Sequence, residues 1–528
     1  MGAIASLSSN WLKKIFTVRE IESGKFFSLF ILKFFVCFNY AILTATKDTV
    51  VITAAGGGAE VIPVLKGGVV LIIAFAVMLL YSKMCNKISV KGMFYVVLAA
   101  FAAFFLLYGL VLFPHASSLR PNKSADWLLS IIGNNHKHWV AVYRDWVNSL
   151  FFVLAELWGA MMIGILFWGF ANQVNNIKNA MKFYVLYTAG GQMGTMFAGL
   201  VVYYYSNLYK TNFIVSVSTL MAIVIVVCGL IATVYCWANQ YVLSKNFSNT
   251  GNNTAVKSVH VKTKLSLRDS LVFIMKSPYL GLIAFMVIGY GISINMVEVS
   301  WKAMVRLQFP NPTDCQAFMG IVQTILGAVS LFVAAFIGRG IIRNYGWYIS
   351  AQLTPIILAI TSGLFFAVYF IFPDYAANNM QLMQINFCLS KFFNISQWFE
   401  QFRCLEYINF AITPLGLLVV FGAIHNISCK TMKYCLFDTT KEMAYIPLDK
   451  ESKIKGKAAV DLVGSRFGKS GASWTQLALI DFIGAGSILD VLYLLCPCII
   501  FILIFWIFAV KGLNKRFIKL QQSSKILV

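Results

Sequence analysis

VNSLFFVLAELWGAMMIGILFWGFAN, residues 147–172, is an apolar run interrupted by one charge, Glu156. Coiled at 1.5 Å per residue, a run of this length makes a helix of roughly 39 Å, more than the ~30 Å hydrocarbon core of a bilayer. It reads as a membrane span with a carboxylate well inside it. Outward from it the pattern recurs. Toward the N-terminus one run covers about 26–44. A second follows the glycine-rich turn at Gly56, Gly57 and Gly58 and reaches about Tyr81, and a third follows Lys83, Lys87 and Lys91 and ends near Phe113. Toward the C-terminus runs fall at about 181–206, 212–238, 279–300, 314–338, 346–372, 403–425, 472–489 and 491–511.

Composition agrees. Of 528 residues 59% are hydrophobic and 12% charged, with mean hydropathy +0.75. Soluble domains sit near about 45–50% apolar and about 25% charged. A soluble protein with one buried core is therefore excluded. The formal charge of +23 reads as topology, because Lys and Arg gather in cytoplasmic loops. Nucleic-acid binding would need a basic face on a soluble fold, and no such face is evident. Part of the excess can draw an anionic substrate into a cavity. The eleven cysteines lack metal or disulfide spacing and read as small apolar residues. His115, His136 and His138 share no helix register, so no metal site is expected. The basic start, MGAIASLSSNWLKKIF, lacks the order of a cleavable leader, and the first span is expected to stay in the membrane.

The predicted fold is an all-α polytopic membrane protein of about twelve transmembrane helices in two six-helix halves, with major-facilitator-like layout. Residues 1–238 form the first half and 239–276 a basic cytoplasmic linker with six Lys or Arg against Asp269. Residues 277–528 form the second half, with a polar loop at 426–471. The basic loops place both termini in the cytoplasm, and the site is expected between the halves. An amphipathic segment is read at 378–402.

Charge inside a span costs about 2.5–3.5 kcal/mol on the insertion scale, so it marks a cavity or a partner. Glu156 has no basic residue three or four positions away, so its partner must come from another helix, from substrate or from a proton. Glu298 and Lys302 are four apart on one helix face and can neutralise each other, and Asn295 sits one turn earlier. Lys47 follows the first span. Lys33, inside that span, either faces a partner or snorkels to the interface. Asp481 is a further intramembrane acid.

The stretch TTKEMAYIPLDKESKIKGKAAVDLVGSRFGK at 439–469 is polar, lies between apolar runs and has little periodicity. Irregular polar backbone survives beside spans only where protein buries it or water reaches it, which makes it part of a working site. Its end, Gly464 to Ser470, is not a phosphate loop: three residues, not four, separate the first glycine from Gly468-Lys469. It either contacts a phosphate through backbone amides or caps the next span. No catalytic triad, carboxylate pair or zinc motif appears, so no enzyme activity and no cofactor are expected.

Four stretches carry a resemblance. They are TKDTVVITAAGGGAEVIP at 46–63, AELWGAMMIGILFWGFANQV at 155–174, YGISINMVEVSWKAMVRLQFPNP at 290–312 and YCLFDTTKEMAYIPLDKESKIKGKAAVDLVGSRFGKSG at 434–471. In this order and along nearly the whole chain, the sequence resembles the ATP/ADP translocases of obligate intracellular bacteria and plastids. The resemblance implies twelve spans and movement of nucleotides across a bacterial inner membrane or, second, a plastid envelope. It carries the family's charged transport residues onto Lys47, Glu156, Glu298 and Lys441. Asn295, Lys302 and Asp481 are secondary candidates. Lys47 and Lys441 are expected to hold one phosphate chain between the halves, with Glu156 and Glu298 neutralising them in the empty carrier.

The chain departs from the family pattern at two places. Thr44-Ala45 replaces an arginine and an acid at the end of the first span, and Gln173 replaces a common glutamate. These losses of charge leave room beside ATP and ADP for other nucleoside triphosphates, and beside exchange for proton-coupled net import. The partners expected are nucleotides, a proton and membrane lipid, with no nucleic acid. A membrane receptor or a membrane enzyme without transport is the reading from another class.

Overall fold

The computed structural model describes residues 20–248, 277–372, 413–448 and 464–526, save Ala55, Asn86, Asn175, Asn176 and Ala485, together with Gly456, Lys457 and Val460. The lead-in 1–19, most of the linker 239–276, the amphipathic segment at 378–402 and most of 449–463 lie outside the described residues. All regular structure among the described residues is helical. In chain order the helices are α1 (Glu20–Ile52), α2 (Val61–Tyr81), α3 (Val90–Leu112), the short α4 (Asn122–Ile132) and α5 (Lys137–Arg144), and α6 (Trp146–Val174). Then come α7 (Ile177–Leu208), α8 (Phe213–Ser248), α9 (Pro278–Gln308), α10 (Pro312–Phe336) and α11 (Gly340–Ile371). The last are α12 (Pro414–Ala444), α13 (Ser465–Ile483) and α14 (Leu492–Ile526).

Ten of these are long and apolar enough to cross a membrane. The helices α7 and α13 stand outside that count. The outward faces stay apolar: Ile72 is 70%, Phe336 74% and Phe508 62% exposed. In water such faces would be covered or would aggregate, whereas lipid solvates them.

Local sequence explains the helix ends. Ser277, Asn311 and Thr413 each precede a proline and accept a hydrogen bond from the backbone N–H of Leu280, Thr313 and Gly416. A polar cap followed by proline at the first helical position satisfies one orphan donor and omits another. Gly484, at φ 66°, closes α13 in the left-handed conformation, which glycine adopts without a Cβ clash.

Two sequence boundaries are corrected. The tenth span was expected at 403–425 and a polar loop at 426–471. Instead α12 continues through Ala444, with a π-helical turn at Lys433–Phe437. Polar side chains there project into a cavity while the backbone bonds stay within the helix, so polarity did not require irregular backbone. The run expected as the eleventh span, 472–489, falls on α13 at Ser465–Ile483, which is not among the ten. The Gly464–Ser470 cluster opens this helix. A Cβ on Gly291 of α9 would lie 2.8 Å from the Gly468 Cα, so that glycine serves close helix packing.

Small residues also set the packing of α7. A Cβ on Gly194 would lie 2.3 Å from the Phe34 carbonyl oxygen on α1. On another face, a Cβ at Gly199 would lie 2.5 Å from the Gly320 carbonyl oxygen, and one at Gly327 2.5 Å from the Met196 amide nitrogen. Thus α7 is held at backbone contact between α1 and α10, the arrangement small residues permit in membranes.

Candidate functional site

The site begins on α1, where Thr46-Lys47-Asp48-Thr49 ends an apolar stretch and is fully enclosed. Lys47 is 2% and Asp48 3% exposed. The Lys47 Nζ lies 2.9 Å from Asp48 Oδ1 and 3.0 Å from Glu156 Oε1 on α6. It also sits over the Phe152 ring at 4.1 Å from the centroid. The partner that Glu156 lacks on its own helix is therefore Lys47, with Lys469 of α13 at 3.9 Å.

Asp48 turns its other oxygen to α9: Lys302 Nζ lies 2.8 Å from Oδ2. Lys302 in turn is 3.4 Å from Glu298, one turn earlier. Glu298 is the second hub. It meets Lys430 of α12 at 3.1 Å and Lys66 of α2 at 3.4 Å. Lys66 also donates to Asn295 Oδ1 at 3.0 Å, while the Asn295 amide donates to the Gly291 carbonyl. One continuous chain thus runs Glu156, Lys47, Asp48, Lys302, Glu298, Lys430, and it joins helices from both ends of the sequence. Five ammonium groups face three carboxylates, leaving an excess of two positive charges.

Buried charge is tolerated only when paired; with the Lys469 side chain 59% exposed, the enclosed excess is one positive charge, and it asks for an anion. A cavity of about 680 Å³ adjoins the chain. Its wall on α1 rises through Lys33, Cys37, Tyr40 and Thr44, and its wall on α12 through Glu442, Asp438, Lys433 and Lys430. Lys430 to Glu442 spans twelve residues, about 18 Å of helix. Lys430 sits at the end near Glu298, and Glu442, with a side chain 47% exposed, sits at the other. π-helical turns occur at Leu65–Val69, Gly159–Phe167 and Lys433–Phe437. They lie on the helices that carry Lys66, Glu156 and Lys430, and such turns often accompany functional sites.

Of the sequence candidates, Lys47, Glu156, Glu298, Lys302 and Asn295 are brought together. Lys441 is placed apart. It lies on α12 about three turns beyond Lys430, with its ammonium 3.9 Å from Glu442. Glu298 meets Lys66, Lys302 and Lys430 in its place. Asp481 is also apart, at the C-terminal end of α13. His136 Nδ1 and His138 Nε2 lie 3.0 and 3.3 Å from its Oδ1, and Trp139 donates to Oδ2. The helical register did not bring the histidines together, but a 3-10 turn before α5 places two of them on Asp481. Even so, no group of three His, Cys, Asp or Glu among the described residues is arranged to hold a metal ion. Sequence reasoning missed Asp48, Lys66, Lys430 and Lys433. Lys66 carried a usable signal, a lone cation within an apolar run.

On the face beyond this network, elements from the two ends of the chain are joined. Arg306 donates to the Gly57 carbonyl. Ser487 and the Ile488 amide donate to Glu60 Oε1 at 2.7 and 3.1 Å. Thr313 donates to the Lys210 carbonyl, and Ser206 and Ser216 donate to Gln316. The cavity therefore lies on one side of the charge chain and a hydrogen-bonded closure on the other.

Comparison with known proteins adds kinship. The profile of the TLC ATP/ADP transporter family matches residues 3–389 and 385–517. The chain is 39% identical to ADP,ATP carrier protein 1 of Chlamydia muridarum over 504 residues, 94% of this chain and 89% of that one. It is 36% identical to the chloroplastic ADP,ATP carrier protein 1 of Arabidopsis thaliana, across 97% of this chain and 77% of that one. With ADP,ATP carrier protein 1 of Rickettsia typhi it shares 34% identity, across 97% and 98%. Among solved structures, a POT family transporter in complex with 5-aminolevulinic acid aligns over 94% of this chain and 96% of its own, at 10% identity and a TM-score of 0.42.

Proposed function

The chain belongs to the TLC ATP/ADP transporter family, and from that membership we propose that it carries nucleotides across a bacterial inner membrane, taking in ATP in exchange for ADP by alternating access. The family is one of transporters, and the substrate leaves chemically unchanged. Residues 1–238 and 277–528 are the two bodies that move, the linker 239–276 joins them, and both termini face the cytoplasm.

The observation that carries this reading is the cation excess at the end of the cavity. A nucleotide brings several phosphate charges, and lysines must replace its hydration. Lys430 and Lys433 line the cavity, and Lys430 and Lys66 share Glu298. Phosphate oxygens arriving there take over ammonium groups that Glu298 and Glu156 hold in the empty carrier. One ionic partner is exchanged for another, so the lysines of the network keep a carboxylate until phosphate reaches them. An empty carrier with this network intact is held in place by it, which favours strict exchange. Lys441, further along α12, meets the anion on its way in.

A second reading is proton-coupled net import. It is favoured by the sequence at Thr44, Ala45 and Gln173, where charge close to the path is absent.

Uptake into proteoliposomes separates the readings. The vesicles are empty, preloaded with ADP, or given a proton gradient, and labelled ATP is offered. Uptake that needs internal ADP establishes exchange. Uptake into empty vesicles that collapses with a protonophore establishes net import. No uptake of any nucleotide by folded protein defeats the reading.

A further inference from the structure

Lys33 differs from the other buried lysines. It lies inside the first span, 5% exposed, and lines the cavity. Lys47, Lys66, Lys302 and Lys430 each have a carboxylate partner. No carboxylate pairs with Lys33 among the described residues. Its polar neighbour is the Cys37 thiol, one turn on. Its ammonium rests over the rings of Phe167 and Trp168, at 4.6 and 5.0 Å from their centroids. A cation on aromatic faces is held without being neutralised. An ammonium has three donors, and one weak sulfur acceptor leaves donors unspent at the cavity wall.

Its position separates it from the phosphate end. Lys33 and Lys47 are fourteen residues apart on α1, about 21 Å along the axis. That is comparable with the length of an extended nucleoside triphosphate. A substrate whose phosphates reach the cation excess near Lys47 and Lys430 presents its other end, the base, to Lys33. There Trp168 and Tyr184 stand with ring centroids 5.0 Å apart and both line the cavity. Aromatic faces accept any base by stacking, so they supply affinity without choice. Choice has to come from a donor or acceptor, and the unspent one here is a donor.

We propose that Lys33, beside the faces of Trp168 and Tyr184, reads the base of the carried nucleotide and favours guanine through its O6 and N7 acceptors. This deepens the nucleotide-carrier reading and rests on it. Guanine offers two adjacent acceptors on that edge, adenine offers N7 beside an amino donor, and cytosine offers a donor. A lysine therefore ranks guanine first, adenine second and cytosine last. The site accepts guanine nucleotides alongside adenine nucleotides and holds them more tightly.

The test is competition against labelled ATP uptake in proteoliposomes of the full chain, using GTP, 7-deaza-GTP, CTP and ribose 5-triphosphate. In the unaltered protein 7-deaza-GTP, which lacks N7, is expected to compete at least about fivefold less well than GTP. In Lys33→Met that difference is expected to vanish, with competition by ribose 5-triphosphate unchanged. Equal competition by GTP and 7-deaza-GTP in the unaltered protein overturns the proposal. So does a Lys33→Met protein that loses ribose 5-triphosphate and GTP equally, since Lys33 would then sense phosphate. If Lys33→Met does not fold, Lys33→Leu, which likewise lacks a donor, and the unaltered protein carry the same two comparisons. Absence of all nucleotide uptake in the unaltered protein defeats the carrier reading itself, a result distinct from each of these.

Discussion

Asp48 on α1 and Lys302 on α9 form a buried ion pair at 2.8 Å, and that single pair links the Lys47–Glu156 cluster to the Glu298 cluster. Asp48 holds two fully buried lysines through its two oxygens, Lys47 of its own helix on Oδ1 and Lys302 of α9 on Oδ2. Glu156 has a lesser share, because Lys47 keeps Asp48 when Glu156 is neutralised.

A ranking follows. Removing one partner of a buried pair leaves an uncompensated charge and costs about 3–5 kcal/mol. Asp48→Asn takes a carboxylate from two buried lysines at once, leaving Lys47 with Glu156 and Lys302 with Glu298 at 3.4 Å, whereas Glu156→Gln takes one from a single buried lysine, Lys47, its other partner Lys469 being exposed. Asp48→Asn is expected to lower the melting temperature in detergent more than Glu156→Gln. The double variant Asp48→Asn with Lys302→Met is expected to melt above Asp48→Asn alone, because it removes the cation left in excess together with its anion, while Glu298 keeps Lys66 and Lys430. Additive losses would show that the pair does not couple the clusters.

The second ranking concerns α12. Lys430 touches Glu298 and lines the cavity, while Lys441 sits at 3.9 Å from the half-exposed Glu442. Lys430→Met is expected to reduce nucleotide uptake by about tenfold or more, in line with loss of a charged hydrogen bond of about 1.5–3 kcal/mol. Lys441→Met is expected to act mainly on the apparent affinity and its salt dependence, as a cation at an entrance does. The check is uptake against substrate concentration at two ionic strengths. A larger maximal-rate loss at Lys441 would reverse the assignment.

Much of this was legible in the sequence. Apolar run length gave the membrane class and most helix positions, since that signal depends on composition alone. The pairing of Glu298 with Lys302 followed from helical spacing, and the absence of a local partner for Glu156 pointed to another helix. Asp48 was hidden because it adjoins Lys47 just past the expected end of the first span, where a charge needs no buried partner. Lys430 and Lys433 were hidden by a boundary. Hydropathy falls after residue 425 because α12 turns polar side chains toward a cavity, and a window cannot tell such a helix from a loop. The link between Asp48 and Lys302 is a tertiary fact, 254 positions apart in the chain, that no periodicity encodes.

The contact of α7 with α10 yields a steric prediction. Alanine at Gly199 or Gly327 would place a Cβ within 2.5 Å of backbone atoms of the facing helix. Backbone cannot move aside as a side-chain tip can, so the helices must separate. Gly199→Ala and Gly327→Ala are each expected to cut uptake severalfold at equal membrane expression. Gly229→Ala, where a Cβ meets nothing within 4 Å, is expected to leave uptake unchanged. Equal activity of all three would mean that α7 and α10 do not need this approach during transport.

The last prediction concerns pH at the closure. His138 is 2% exposed on α5, with Asp481 of α13, Glu60 between α1 and α2, and His136 and Lys137 around it. Burial holds its imidazole below the ordinary value, the two carboxylates pull it back up, and His136 and Lys137 push it further down. The net direction is downward, so the folded protein binds fewer protons here than the unfolded chain does. Stability then rises with pH across the window between the two values. The contribution is intact above about pH 6.5, the ordinary histidine value. It is lost as pH falls below that value and levels off beneath the folded one. Acidification is therefore expected to loosen the docking of α5 on Asp481 and to lower the melting temperature between pH 7.5 and 5.5. In His138→Gln, which cannot take up a proton, that part of the pH dependence disappears. A spin-label distance between α5 and α13 reports the same event locally and should lengthen on acidification only when His138 is present. If the unaltered protein instead tightens and melts higher at pH 5.5, protonated His138 forms a stabilising ion pair with Asp481, and the direction argued from burial is wrong.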